Sequence, residues 1–173
     1  MPSISQVCET LLSTNMVELI DQALEIQSAK IIDEYLRRLK RCLETLEEST
    51  ETVAGSIKTL KRKYDEYSKH ADTLDRDIDA QILHAKEELA SSTFYSVDTR
   101  IELAQEYYEQ WQAQEEKYQQ MQVIVTHLEQ RIVYIRQLSE KMAKDFASCE
   151  IPDIIELHRQ AEIEQATYSS YLD

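Results

Sequence analysis

Histidine, cysteine and clustered carboxylates are the residues of this chain best suited to metal or nucleophile chemistry, and their spacing supports neither. His70, His84, His127 and His158 each lack a second histidine four residues on. No Glu-x-x-His, His-Glu-x-x-His or Cys/His zinc spacing occurs. Asp72, Asp75, Asp77 and Asp79 gather around Arg76. A calcium loop would need glycine at its sixth position and glutamate at its twelfth, and neither is present. Leu74 and Ile78 interrupt that cluster at helical spacing, so it reads as the solvated face of a helix. Cys8, Cys42 and Cys149 are odd in number and widely spaced, which predicts reduced thiols, with Cys149 in a core. A nucleophilic triad needs a strained, exposed turn, but the chain has one glycine and no G-x-S-x-G. The same shortage removes any glycine-rich phosphate cradle. The expectation is a non-enzyme with no catalytic, cofactor-binding or metal-binding residues.

What the pattern does specify is helix. With one Gly and two Pro, against roughly 12 and 9 for average usage at this length, breakers are scarce and helices can run long. From Ile32 to Ala85, steps of alternately four and three residues land on apolar side chains everywhere except Thr50 and Gln81. That is a heptad seam without a phase slip. A second seam runs from Ala104 through Trp111, Tyr118, Val125, Ile132 and Met142 to Cys149, with only Gln114 and Ser139 polar. Two such seams joined by a short connection predict an all-α fold: an elongated antiparallel coiled-coil hairpin, with short terminal helices packing at its base.

The expected organisation is a single elongated helical domain over 1–173. A short helix occupies 1–14, with Ser3 as cap. A long helix spans 16–91, started by Asn15 with Glu18 three residues on. Its weak point is 49–56, where Gly55 and neighbouring hydroxyls oppose helix, but the seam keeps its phase through it. Residues 92–97 read as the loop, because Ser91, Ser92, Thr93 and Ser96 cluster small hydroxyls. A second long helix covers 98–149, and a last one 152–170 after Pro152. With that loop, facing residue numbers sum to about 189, which sets Trp111 near Ile78 and Ala104 near Ala85. The polar end Tyr168–Asp173 reads as a frayed tail, a docking segment or a modification site.

The formal charge is −14, from 33 acidic and 19 basic residues, with the excess spread along the chain. Such a surface disfavours nucleic acid and anionic membranes as partners. The local exception is Lys58, Lys61, Arg62 and Lys63, the one feature compatible with a membrane-associated, curvature-sensing rod. No signal peptide or membrane-spanning run is evident, so a cytoplasmic or nuclear setting is expected. Residues 121–138 are too apolar for a two-helix rod and call for a further helix. The candidate partner-binding residues are therefore Val123, Ile124, Val133, Tyr134 and Leu138, with the off-seam tyrosines Tyr35 and Tyr108. The expected function is that of a coiled-coil scaffold or adaptor subunit in a larger assembly of cytoskeletal, kinetochore or tethering type. Its partners would be other helical proteins or a second copy. A secreted bacterial helical effector would have a similar composition.

Overall fold

A computed structural model of the chain describes residues 1–84 and 86–172. They form five helices: α1 (Ile4–Leu12), α2 (Met16–Ile26), α3 (Lys30–Leu83), α4 (Glu87–Ala147) and α5 (Ile154–Leu172). The fold is all-α, a helical hairpin of α3 and α4 accompanied by short helices. The chain divides into two compact units: Met1–Thr50 with Gln120–Asp173, and Glu51–Gln119.

The expected starts are in place. Ser3 Oγ accepts from the Gln6 amide at 3.2 Å while Gln6 Oε1 accepts from the Ser3 amide at 2.9 Å, a complete capping box. Asn15 Oδ1 accepts from the Glu18 amide at 3.1 Å and opens α2. The helix expected over 16–91 is corrected at both ends. It breaks after Ile26, where Gln27 takes the left-handed conformation at φ 51°. The Ser28 amide then reaches Ala23 O at 3.2 Å, and the Lys30 amide donates to Ser28 Oγ at 3.2 Å. Left-handed helix caps usually carry glycine, so a glutamine there gives no sequence signal.

The loop expected at 92–97 is also corrected: those residues lie inside α4, and the connection falls between Leu83 and Glu87. Two of the four hydroxyls that suggested a loop, those of Thr93 and Ser96, bond back within the helix, as does Thr99 beyond them. Thr93 Oγ1 donates to Leu89 O at 2.9 Å, Ser96 Oγ to Ser92 O at 3.3 Å and Thr99 Oγ1 to Tyr95 O at 3.1 Å. Ala90, Val97 and Ala104, seven residues apart, are all buried, so the second seam starts two heptads earlier than its spacing predicts. The facing register shifts with it, and Trp111 lies against Tyr64 rather than Ile78, ring centroids 6.1 Å apart. The expected Ala85–Ala104 neighbourhood falls outside the described residues.

α3 is unbroken through Gly55. A Cβ added there meets nothing within 4 Å. Gly55→Ala therefore removes backbone entropy from the unfolded chain without a steric cost. It is expected to raise the unfolding free energy by about 1 kcal/mol, read as a higher urea midpoint at unchanged m-value.

In Met1–Thr50 with Gln120–Asp173, the seams are deeply buried. Ile32, Leu39, Leu46, Leu128, Ile135 and Met142 are each at 0% exposure. A third stripe at spacing seven, Ile124, Arg131 and Leu138, is buried as well. Leu12, Met16, Ile20 and Leu157 supply the apolar surface of α1, α2 and α5 in this core. Arg131, 1% exposed, is tied to every other helix. Its Nη1 donates to Leu12 O at 3.1 Å, Tyr35 Oη at 3.0 Å and Met16 Sδ at 3.2 Å, and its Nε faces Glu164 Oε1 at 3.4 Å. Tyr35 Oη in turn donates to Leu11 O at 2.8 Å. Leu11 and Leu12 end α1, so their carbonyls belong to the group a helix leaves unpaired. α1 has no basic residue in its last turn, and the cation at its negative end comes from α4.

Candidate interaction surface

The seven candidate partner residues separate into two groups. Tyr35, Ile124 and Leu138 are corrected: they are 4%, 3% and 3% exposed, so they face the core and not a partner. The wide apolar face of 121–138 does meet additional helices, but they belong to the same chain. Val123 and Tyr134 are half-buried, while Val133 and Tyr108 are exposed. Cys149, expected in a core, is exposed beyond the end of α4 with φ 55°. Tyr168, expected in a polar tail, is a buried residue of α5 whose ring meets His127 edge-on at 5.4 Å.

Glu51–Gln119 has only the two helix arms, and its seam residues Leu60, Tyr64, Tyr67, Leu74, Tyr107, Trp111 and Tyr118 are half-buried. Aromatic rings fill one part of it. Tyr67 stacks on Tyr107 at 5.5 Å, and Tyr64, Tyr108 and Trp111 form a cluster with centroids 5.5–6.1 Å apart. Nearer the connection the core is small: Ala71, Ile78, Ala90 and Val97 with Leu74 against them. Alanines leave the surface low between the two arms. The result is a groove of about 350 Å³ with Ala71, Val97 and Ala104 as floor, Tyr64 and Ile101 as walls, and Asp72 and Asp75 on the rim. Phe94, Ile101 and Tyr108 recur every seven residues on α4 and are 65%, 54% and 38% exposed. A spacing of seven keeps them on one flank of the helix. Sequence reasoning finds Tyr108 and misses Phe94 and Ile101, because it places Phe94 in a loop. The signal is the seven-residue spacing itself.

The charges of this unit are unequal in their partners. Lys61 lies 4.9 Å from the Trp111 ring centre and 4.0 Å from Glu115, and Lys63 lies 5.2 Å from the Tyr107 ring centre. Two of the four cations in the basic patch thus cover the aromatic cluster. Among the described residues, Asp72 and Asp75 have no ion-pair partner.

Titratable groups in the other unit are shifted by burial. Among the described residues the Tyr134 hydroxyl has no hydrogen-bond partner, and burial, with Glu164 adding, pushes its pKa up to about 12. His127 is held below the ordinary imidazole value, first by burial and then by the Arg131 charge, with Glu164 opposing. On acidification the unfolded chain takes up this proton before the folded one, so stability falls as pH drops below about 6.5 toward the folded pKa. His127→Phe keeps a ring against Tyr168 and removes the proton site. Its Tm is expected to fall less than the wild-type Tm between pH 7 and pH 5, as measured by circular dichroism. Equal losses in the two proteins would mean that His127 does not carry this pH dependence.

Among the described residues no cluster of three His, Cys, Asp or Glu is placed to hold a metal, and no helix is long and apolar enough to cross a membrane. What fold and surface define is a helical hairpin with an open groove between its arms, lined by apolar side chains together with Ser68, Asp72, Asp75 and Gln105. Comparison of the chain with known protein families, curated proteins and solved structures finds no match.

Proposed function

We propose that the chain is a non-enzymatic scaffold or adaptor subunit of a larger protein assembly, acting through helix–helix contact. Its docking surface is the groove of Glu51–Gln119, and its occupant is an amphipathic helix with a basic flank. The observation that carries this reading is the groove, walled by Tyr64 and Ile101 and rimmed by Asp72 and Asp75, with Phe94 and Tyr108 continuing the exposed flank of α4 seven residues to either side of Ile101. An apolar helix face would bury that flank at i, i+3, i+4 and i+7 spacing, and lysines or arginines beside that face would meet the two aspartates. The remaining charge of the chain favours the same partner, since a second copy of so acidic a surface is repelled.

The test is purification of the intact chain from its native cells beside a Phe94→Asp/Ile101→Asp variant and a Val133→Asp control. Both substitution sets sit on exposed positions, so folding is retained and checked by circular dichroism. The expected result is a helical partner that co-purifies with the wild type and with the control. Its yield should drop about tenfold or more with the groove variant, since each anchor contributes on the order of 1–2 kcal/mol. A partner retained equally by all three proteins would overturn the assignment of the groove.

A further inference from the structure

Among the described residues the fold brings Cys8 and Cys42 together, and they belong to different helices. Cys8, on the buried face of α1, is 0% exposed, and its Sγ donates to Cys42 O at 3.7 Å. Cys42, on α3, is half-buried and lines an open groove of about 450 Å³ with Val7, Leu11, Arg38 and Arg41. Cys149 is exposed and lies beyond the end of α4.

We propose that Cys8 and Cys42 are an oxidation site: peroxide converts the pair into a disulfide that staples α1 to α3. The partly open thiol reacts first. The Cys42 thiolate attacks the peroxide, forming an S–O bond, breaking the O–O bond and releasing hydroxide, which leaves Cys42 as sulfenic acid. The Cys8 sulfur then attacks the Cys42 sulfur as its proton is lost. An S–S bond forms, the S–O bond breaks and a second hydroxide leaves. In sum the two thiols give up two electrons and two protons, and hydrogen peroxide becomes two waters. The order follows from the surroundings. Burial, and next the neighbouring Cys42, pushes the Cys8 thiol up to about 12, so Cys8 is the poor first nucleophile and serves as the resolving thiol. The Cys8 sulfur already lies against the Cys42 backbone in the reduced fold, so the two residues are neighbours before oxidation.

The test uses the full chain treated with hydrogen peroxide, quenched with N-ethylmaleimide and digested with trypsin without reductant. The expected product is peptide 1–30 joined to peptide 42–58, about 2 Da lighter than the sum of the two unalkylated peptides. Closing a loop of this length is expected to raise Tm by about 5–10 °C, and dithiothreitol should return it. Cys149→Ser should behave as the wild type, and Cys42→Ser should give neither the link nor the shift. If Cys42 gains oxygen while Cys8 is still alkylated after unfolding, or if the only link runs through Cys149, the proposal is wrong. The peptide map of the wild type decides this even if a Cys8 variant fails to fold.

Discussion

Arg131→Ala is expected to lower the unfolding free energy by about 3–5 kcal/mol. The substitution leaves Leu12 O without its 3.1 Å donor, Tyr35 Oη without its 3.0 Å donor and Glu164 without its cation. It also opens a cavity at a 1% exposed position. Arg131→Met separates these contributions. It restores most of the volume and still leaves the α1 carbonyl unpaired, so its loss should be smaller, about 1–3 kcal/mol. Tyr35→Phe is coupled to both through the shared hydroxyl. A double-mutant cycle between Arg131→Met and Tyr35→Phe should show non-additivity of about 1 kcal/mol. Urea denaturation followed at 222 nm measures all three. If Arg131→Ala cost under about 1 kcal/mol, the guanidinium would not be holding the end of α1.

Leu46→Ala and Leu60→Ala test the contrast between a deeply covered and a thinly covered seam. Both leucines lie on α3 and both occupy the same heptad position, fourteen residues apart. Leu46 is at 0% exposure, and Leu60 is half-buried. Leu46→Ala should cost about 2–5 kcal/mol, the range for a leucine removed from a closed core. Leu60→Ala should cost less than half as much, because water already reaches part of its side chain and can fill the space left behind. Hydrogen exchange of the two neighbourhoods, compared in each variant, locates the loss. Equal costs would show that the seam is covered alike at both positions.

Much of this fold is legible in the sequence because burial follows the heptad. The seam residues Ile32, Leu39, Leu46, Leu128, Ile135 and Met142 follow from spacing alone, and all are fully buried. Ser3 and Asn15 are legible because cap chemistry is local. The hairpin connection is misplaced by sequence because serine and threonine have two uses. They break helices when their hydroxyls compete for amides, and they are tolerated when those hydroxyls bond back to the carbonyl four residues earlier, as Thr93 and Thr99 do. The left-handed Gln27 is invisible for the opposite reason: no residue type there announces a break. Arg131 is hidden in plain pattern. It sits seven residues from both Ile124 and Leu138, but an arginine in an apolar stripe reads as its polar edge unless its partners are known. Its partners Leu12, Met16, Tyr35 and Glu164 are remote in sequence or on the far side of a turn. The groove is half legible. Tyr108 stands out as an off-seam aromatic, while its companions Phe94 and Ile101 depend on placing the connection correctly.

The two units also differ in how far along the chain their contacts reach. Glu51–Gln119 is one contiguous stretch folded about a short connection, so its pairings begin between near neighbours. The other unit joins segments on either side of that stretch, with contacts such as Met16 to Gln165 and Leu12 to Arg131. Closing a long flexible segment costs more chain entropy than closing a short one, and contacts of high sequence separation form slowly. Once 51–119 zips from its connection outward, the residues at its two ends are neighbours, and the remaining closure is short. A substitution that destabilises pairings within 51–119 formed early is expected to slow refolding in proportion to the stability it removes, measured by stopped-flow circular dichroism.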